Sequence, residues 1–135
     1  MSQKKHIILD AMALFQLQLT SMPKIIRDLK QDIINGNVIA VIPTIAISEI
    51  LWKKRREGPK QFNQLKIAFS MWKKSPNIII DSFDIAILDE MMETKESYEI
   101  HDEIIAITCR KYKTTIIYTK DPKFKDFWGL APISW

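Results

Sequence analysis

Cysteine is almost missing from this chain. Cys109 is the only one among 135 residues, so no internal disulfide can form, and a lone cysteine on an apolar helix face reads as a small core residue in a reducing compartment. Glycine is scarce as well. Gly36, Gly58 and Gly129 stand isolated, which excludes a glycine-rich phosphate loop or a dinucleotide-binding turn. The two histidines, His6 and His101, are far apart and lack metal-ligand spacing. Long apolar runs are lacking too: the longest, Val38–Ile47, contains Pro43 and soon meets Glu49, short of a membrane span. Near the N-terminus, Ile7, Ile8 and Leu9 are cut off by Asp10, too early for a signal-peptide core. A cytoplasmic protein with no membrane association is expected. No repeat, low-complexity tract or linker is visible.

What is present suits one domain over residues 1–135, long enough for a real core. Twenty Lys and Arg against 16 Asp and Glu give a net charge of +4, which permits a polyanionic partner without requiring one.

Taken in order, Ile7–Leu9 and Val38–Ile42 are apolar β-branched runs of the kind that fill central parallel strands buried on both faces. The run Ala11–Leu19 predicts a short helix. Pro23 opens another, with Ile25, Ile26, Leu29, Ile33 and Ile34 at helical spacing and Asn35-Gly36-Asn37 as its stop. From Thr44 a helix runs to Gly58-Pro59, and Gln61–Lys73 predicts a further one that buries Phe62, Leu65, Phe69 and Trp72. Trp52 is likewise read as a core or interface residue. Strand Ile78–Ile80 precedes a helix through Ile85, Leu88, Met91 and Met92, with Asp81 and Ser82 as its caps. A loop at Lys95–Tyr98, a helix opening at Asp102, strand Thr115–Tyr118, a short helix Pro122–Phe127 and an edge strand Ala131–Ser134 complete the chain. Strands alternating with helices predict a three-layer α/β domain with a mostly parallel sheet.

This arrangement places four acids together. Asp10 ends the first strand, Glu49 sits early in the helix after the second, Asp102 begins a helix, and Asp121 follows the next strand. All four fall at the C-terminal edge of a parallel sheet, where open α/β folds build their sites. Each has an ordinary explanation by itself, as a cap, a turn residue or a solvated helix residue. Together they repel, and a cation or a shared proton is what relieves such repulsion. Oxygen donors with no Cys or His among them favour a hard divalent ion, Mg²⁺ or Mn²⁺, over zinc.

The segments IILDAMALF, IPTIAISEIL, IHDEIIAITC and IIYTKDPKF, in this order and at these separations, resemble the signature segments of PIN-domain nucleases, particularly the single-domain VapC-like toxins. The resemblance spans essentially the whole chain. It implies a Rossmann-like sheet in the PIN arrangement and an Mg²⁺- or Mn²⁺-dependent ribonuclease site, with Asp10, Glu49, Asp102 and Asp121 as its catalytic and metal-binding acids. It also implies an RNA substrate, a cognate antitoxin and a homodimer. The chain departs from the family pattern at Ala11 and Met12, where Thr and then Asn or Ser often follow the first acid. It departs again at Pro122, Lys123 and Phe124, where a further Asp or Asn is common.

Around the acids, Lys53, Lys54, Arg55 and Arg56 could hold RNA phosphates or form a solvated helix face, and Lys120 and Lys123 flank Asp121. Three readings follow. One is a metal-dependent endoribonuclease of toxin type; another is a PIN-like RNA- or protein-binding module that no longer turns over; the third, a phospho-acceptor receiver domain, leaves Glu49 and Asp102 unused.

Overall fold

Apolar β-branched runs form the centre of the structure, a computed structural model that describes residues 4–135. Five strands, β1 (Lys5–Leu9), β2 (Val38–Pro43), β3 (Ile78–Asp81), β4 (Ile116–Tyr118) and β5 (Ala131–Ile133), pair in parallel in the order β3-β2-β1-β4-β5. Ile8 is in register with Val41 on one side and Ile117 on the other. The order reverses between β1 and β4, so the crevice beyond their C-terminal ends is the switch point at which such sheets carry sites.

Alternation along the strands divides the core. Ile7 and Leu9 of β1 and Ala40 and Ile42 of β2 face a layer made by α1 (Ala11–Leu17), α2 (Lys24–Ile34), α3 (Thr44–Glu57) and α4 (Pro59–Lys74). Ile8, Val41 and Ile117 face the opposite layer, where α6 (Ile100–Lys111) and α7 (Lys123–Trp128) contribute Ile105, Ala106, Cys109 and Phe124. Helix α5 (Ile85–Met92) packs on α6 through Ile87 against Ile104 and Ile107. The result is the three-layer α/β architecture expected, with every strand pair parallel. Among the described residues no helix is long and apolar enough to cross a membrane.

Several local expectations are corrected. Helix α1 stops at Leu17 instead of Leu19, and α4 starts at Pro59 instead of Gln61, because Gly58 with φ of 134° breaks the backbone and proline suits a first helical turn. Asp84, not Asp81 or Ser82, caps α5, its Oδ1 accepting from the Ile87 amide at 3.1 Å. Asp81 ends β3 instead, buried, where its Oδ1 accepts from Lys111 Nζ at 2.8 Å and from the Tyr112 hydroxyl at 2.6 Å. Ile25 and Ile34 of α2 point outward, leaving Ile26, Leu29 and Ile33 as its buried stripe. On α4, Leu65 and Trp72 are buried whereas Phe62 and Phe69 are half-buried. Trp52 lies on the surface, 60% exposed.

Candidate active site

Asp10 follows β1 directly, and its placement is dictated by two backbone links. Its amide donates to the Tyr118 carbonyl of β4 at 3.3 Å, and its Oδ1 accepts from the Ala13 amide at 2.9 Å, capping α1. The side chain is thus fixed at the crevice and buried. Burial pushes its carboxyl above the usual range, against hydrogen bonds from Thr119, Ala13 and Met12, and the charge of Asp121 adds to the push.

Asp121 arrives from the neighbouring strand through a turn. Its amide donates to Thr119 Oγ1 at 3.0 Å, and its own Oδ1 accepts from the Lys123 amide at 2.9 Å at the start of α7. Thr119 is buried two residues before Asp121, accepts from its amide, and helps hold down the Asp10 carboxyl.

Asp102 lies in the first turn of α6, not at its start. The helix begins at Ile100 with Glu99 as cap, Glu99 Oε2 accepting from the Asp102 amide at 2.9 Å. Burial, then the charges of Glu99 and Asp121, raise the Asp102 carboxyl, while Lys123 opposes them. Glu49, in the second turn of α3, is raised by burial and by the charges of Glu99, Asp10 and Asp102, with His101 opposing. The His101 Nδ1 lies 3.6 Å from Glu49 Oε1 and 3.0 Å from Glu99 Oε1. Asp10 thus feels the charge of Asp121, Glu49 those of Asp10 and Asp102, and Asp102 those of Asp121 and Asp10.

Two participants carry only a weak signal in the sequence. Glu99 falls between the expected loop Lys95–Tyr98 and the expected helix, although an acid three residues before Asp102 at a helix start is a capping signal. Thr119 falls just past the expected strand Thr115–Tyr118 with no role assigned to it, although a Thr two residues before an Asp commonly ties that turn by its hydroxyl.

The basic residues divide. Lys53, Arg55 and Arg56 are exposed, with Arg56 stacked 4.5 Å from the Trp52 ring centre and Arg55 5.6 Å from that of Phe62. Lys54 turns inward, only 7% exposed, with its Nζ 4.5 Å over the Phe15 ring and 3.2 Å from Glu57. Lys120 is exposed with its Nζ 5.4 Å from the centre of the Trp135 ring, and Lys123 is the cation felt by Asp102.

The donor set is all oxygen and acidic, which suits a hard divalent ion. Glu103, next to Asp102, adds a buried Oε1 with no protein partner at the same end of α6. Among the described residues, however, no three acidic, histidine or cysteine side chains are gathered closely enough to hold an ion as they stand. Uncompensated carboxylates repel, so separation is their electrostatic preference.

The family model for the PIN domain matches residues 7–129. Among solved structures, VapBC2 from Rickettsia felis bound to a DNA fragment from its promoter is similar in fold, with a TM-score of 0.65 at 15% identity, covering 96% of this chain and 98% of that one. FitAB bound to an IR36 DNA fragment gives 0.66 at 13%, covering 95% and 94%. FitAcB from Neisseria gonorrhoeae gives 0.61 at 13%, covering 94% and 96%. No curated protein matches the sequence. With a parallel sheet in the order β3-β2-β1-β4-β5, acids at its switch point and a family match across residues 7–129, the chain belongs to the PIN-domain family.

Proposed function

We propose that this protein is an endoribonuclease that hydrolyses RNA phosphodiester bonds with Mg²⁺ or Mn²⁺, and that it is the toxin of a toxin–antitoxin pair in the cytoplasm. One observation carries the reading. Asp10, Glu49 and Asp102 come from three separate elements, yet each carboxyl is raised by burial and further by the charge of its acidic neighbours. A fold that maintains such repulsion at its switch point is arranged for a cation.

Asp10, Glu49, Asp102 and Asp121 are the residues that would hold the ion. When bound, a divalent ion lowers the pKa of a water and neutralises charge on the scissile phosphate. The chain's own residues supply the framework. Asp10 is locked by its cap to α1 and by its amide to the Tyr118 carbonyl, Thr119 ties the turn that carries Asp121, and Glu99 fixes the α6 end that carries Asp102. Lys123 places positive charge beside Asp102, suited to an incoming phosphate. Lys53, Arg55, Arg56 and Lys120 lie outside the acids, available to the backbone of a longer RNA.

The antitoxin assignment rests on likeness to VapBC2 and FitAB. A homodimer is supported by the apolar exposure of Phe83, Ile85, Leu88 and Met92 around α5. A second reading, a PIN-like binding module of weakened activity, is favoured by Ala11 and Met12 after Asp10 and by Lys123 after Asp121. Incubation with mixed structured RNAs distinguishes the two. Cleavage with Mn²⁺ or Mg²⁺ that stops with EDTA and is lost in Asp10→Asn and Asp102→Asn supports the enzyme; no cleavage of any RNA by the unaltered protein favours the binding module.

A further inference from the structure

The positive charge of this molecule is concentrated in one element pair. Residues 44–74, which make α3 and α4, carry eight Lys and Arg against Glu49 and Glu57, a net +6, whereas the whole chain is +4. The remainder is therefore net acidic. On α3, Glu49, Trp52, Lys53 and Arg56 are spaced i, i+3, i+4 and i+7, so they share one helical stripe. It runs about 10 Å along the axis, at about 1.5 Å per residue. Its first member is a candidate catalytic acid, and the other three are exposed.

Trp52 is the feature the fold leaves unexplained. At 60% exposure it contributes little to the core, unlike the buried Trp72 on α4. The Arg56 guanidinium lies over its ring, 4.5 Å from the ring centre, which steadies the indole and covers one of its two faces with a cation. An exposed indole flanked by cations is the composition of a platform for unpaired bases, since stacking serves any base and cations serve the phosphates between them. Charge complementarity chooses RNA as the occupant, because the stripe leads out of the acidic crevice and the substrate reaching that crevice is a polyanion.

We infer that the stripe Trp52–Lys53–Arg56 is the track along which the RNA strand leaves the acidic crevice, with Trp52 stacking an unpaired base beside the cleaved phosphate and Lys53 and Arg56 gripping the following phosphates. This rests on the ribonuclease reading, and it makes Trp52 the residue that selects single-stranded over paired RNA. Lys54, turned inward over Phe15, takes no part.

The test is fluorescence anisotropy of labelled RNA, 12-nucleotide single strand and blunt duplex, with the full chain in EDTA so that cleavage does not intervene. Binding of the single strand at least tenfold tighter than the duplex is expected. Trp52→Ala should weaken the single strand about tenfold or more, Trp52→Phe should restore most of that loss, and the double variant Lys53→Ala/Arg56→Ala should lower the salt dependence of both RNAs. Unchanged single-strand binding by Trp52→Ala overturns the proposal. So does equal competition by poly-glutamate, which would mark the stripe as a protein interface, or an altered oligomeric state in Trp52→Ala with RNA binding intact, which would mark a contact between copies. Failure of the ribonuclease reading is distinguished by the separate metal-dependent cleavage assay, because the binding comparison requires no turnover.

Discussion

Asp10 combines two roles that substitutions can separate. Asparagine retains an oxygen for the Ala13 amide, whereas alanine removes the cap, so Asp10→Ala should cost about 1 kcal/mol of stability that Asp10→Asn does not; urea unfolding of the two variants measures the difference. The raised carboxyls fix the sign of the pH response. Where a folded-state pKa lies above its unfolded value, the folded chain binds more protons between the two, and stability falls as pH rises through that window. Relieving one charge should therefore help at neutral pH and not in acid. With divalent ions chelated, Asp102→Asn is expected to melt above the unaltered protein at pH 7 and to converge with it below about pH 4; equal melting at pH 7 would count against the repulsion described. Cys109 is raised by burial as well, its thiol pushed up to about 12. Alkylation by iodoacetamide at pH 8 should be very slow in the folded protein and rapid in guanidinium chloride, followed by mass spectrometry.

At the scale of elements, the two tryptophans of the α3–α4 pair differ by burial alone. Trp72→Ala should cost about 3–5 kcal/mol, as large core truncations do, whereas Trp52→Ala should stay within about 0.5 kcal/mol. Denaturant unfolding of both decides it. Sequence spacing marked both positions as apolar and could not rank them, since the periodicity of α3 is blurred by the basic run that follows. The same blurring hid Lys54, whose position in that run suggests solvent but whose ammonium lies over Phe15 and beside Glu57. Asp81 reads as a helix cap for another reason. Its partners, Lys111 and Tyr112, lie 30 and 31 residues away, so no local pattern could reveal them. That junction fastens β3 to the C-terminal end of α6, and Tyr112→Phe should cost about 2 kcal/mol by removing a hydrogen bond to a carboxylate, read by chemical denaturation.

For the whole molecule, the strands and their parallel pairing were legible because apolar β-branched runs alternate with helical periods, and the sheet edge that carries the four acids was legible because each either follows a strand or lies in the first two turns of a helix. Glu99 and Thr119 were less so, since a capping acid and a turn hydroxyl look ordinary until the elements they join are assembled. Whether Asp10, Glu49, Asp102 and Asp121 form one site for a divalent ion is decided by isothermal titration calorimetry with Mn²⁺ on the unaltered protein and on Asp102→Asn and Asp121→Asn. Saturable binding by the unaltered protein, weakened at least tenfold in each variant, is expected; no binding, or binding that both variants leave unchanged, would contradict it.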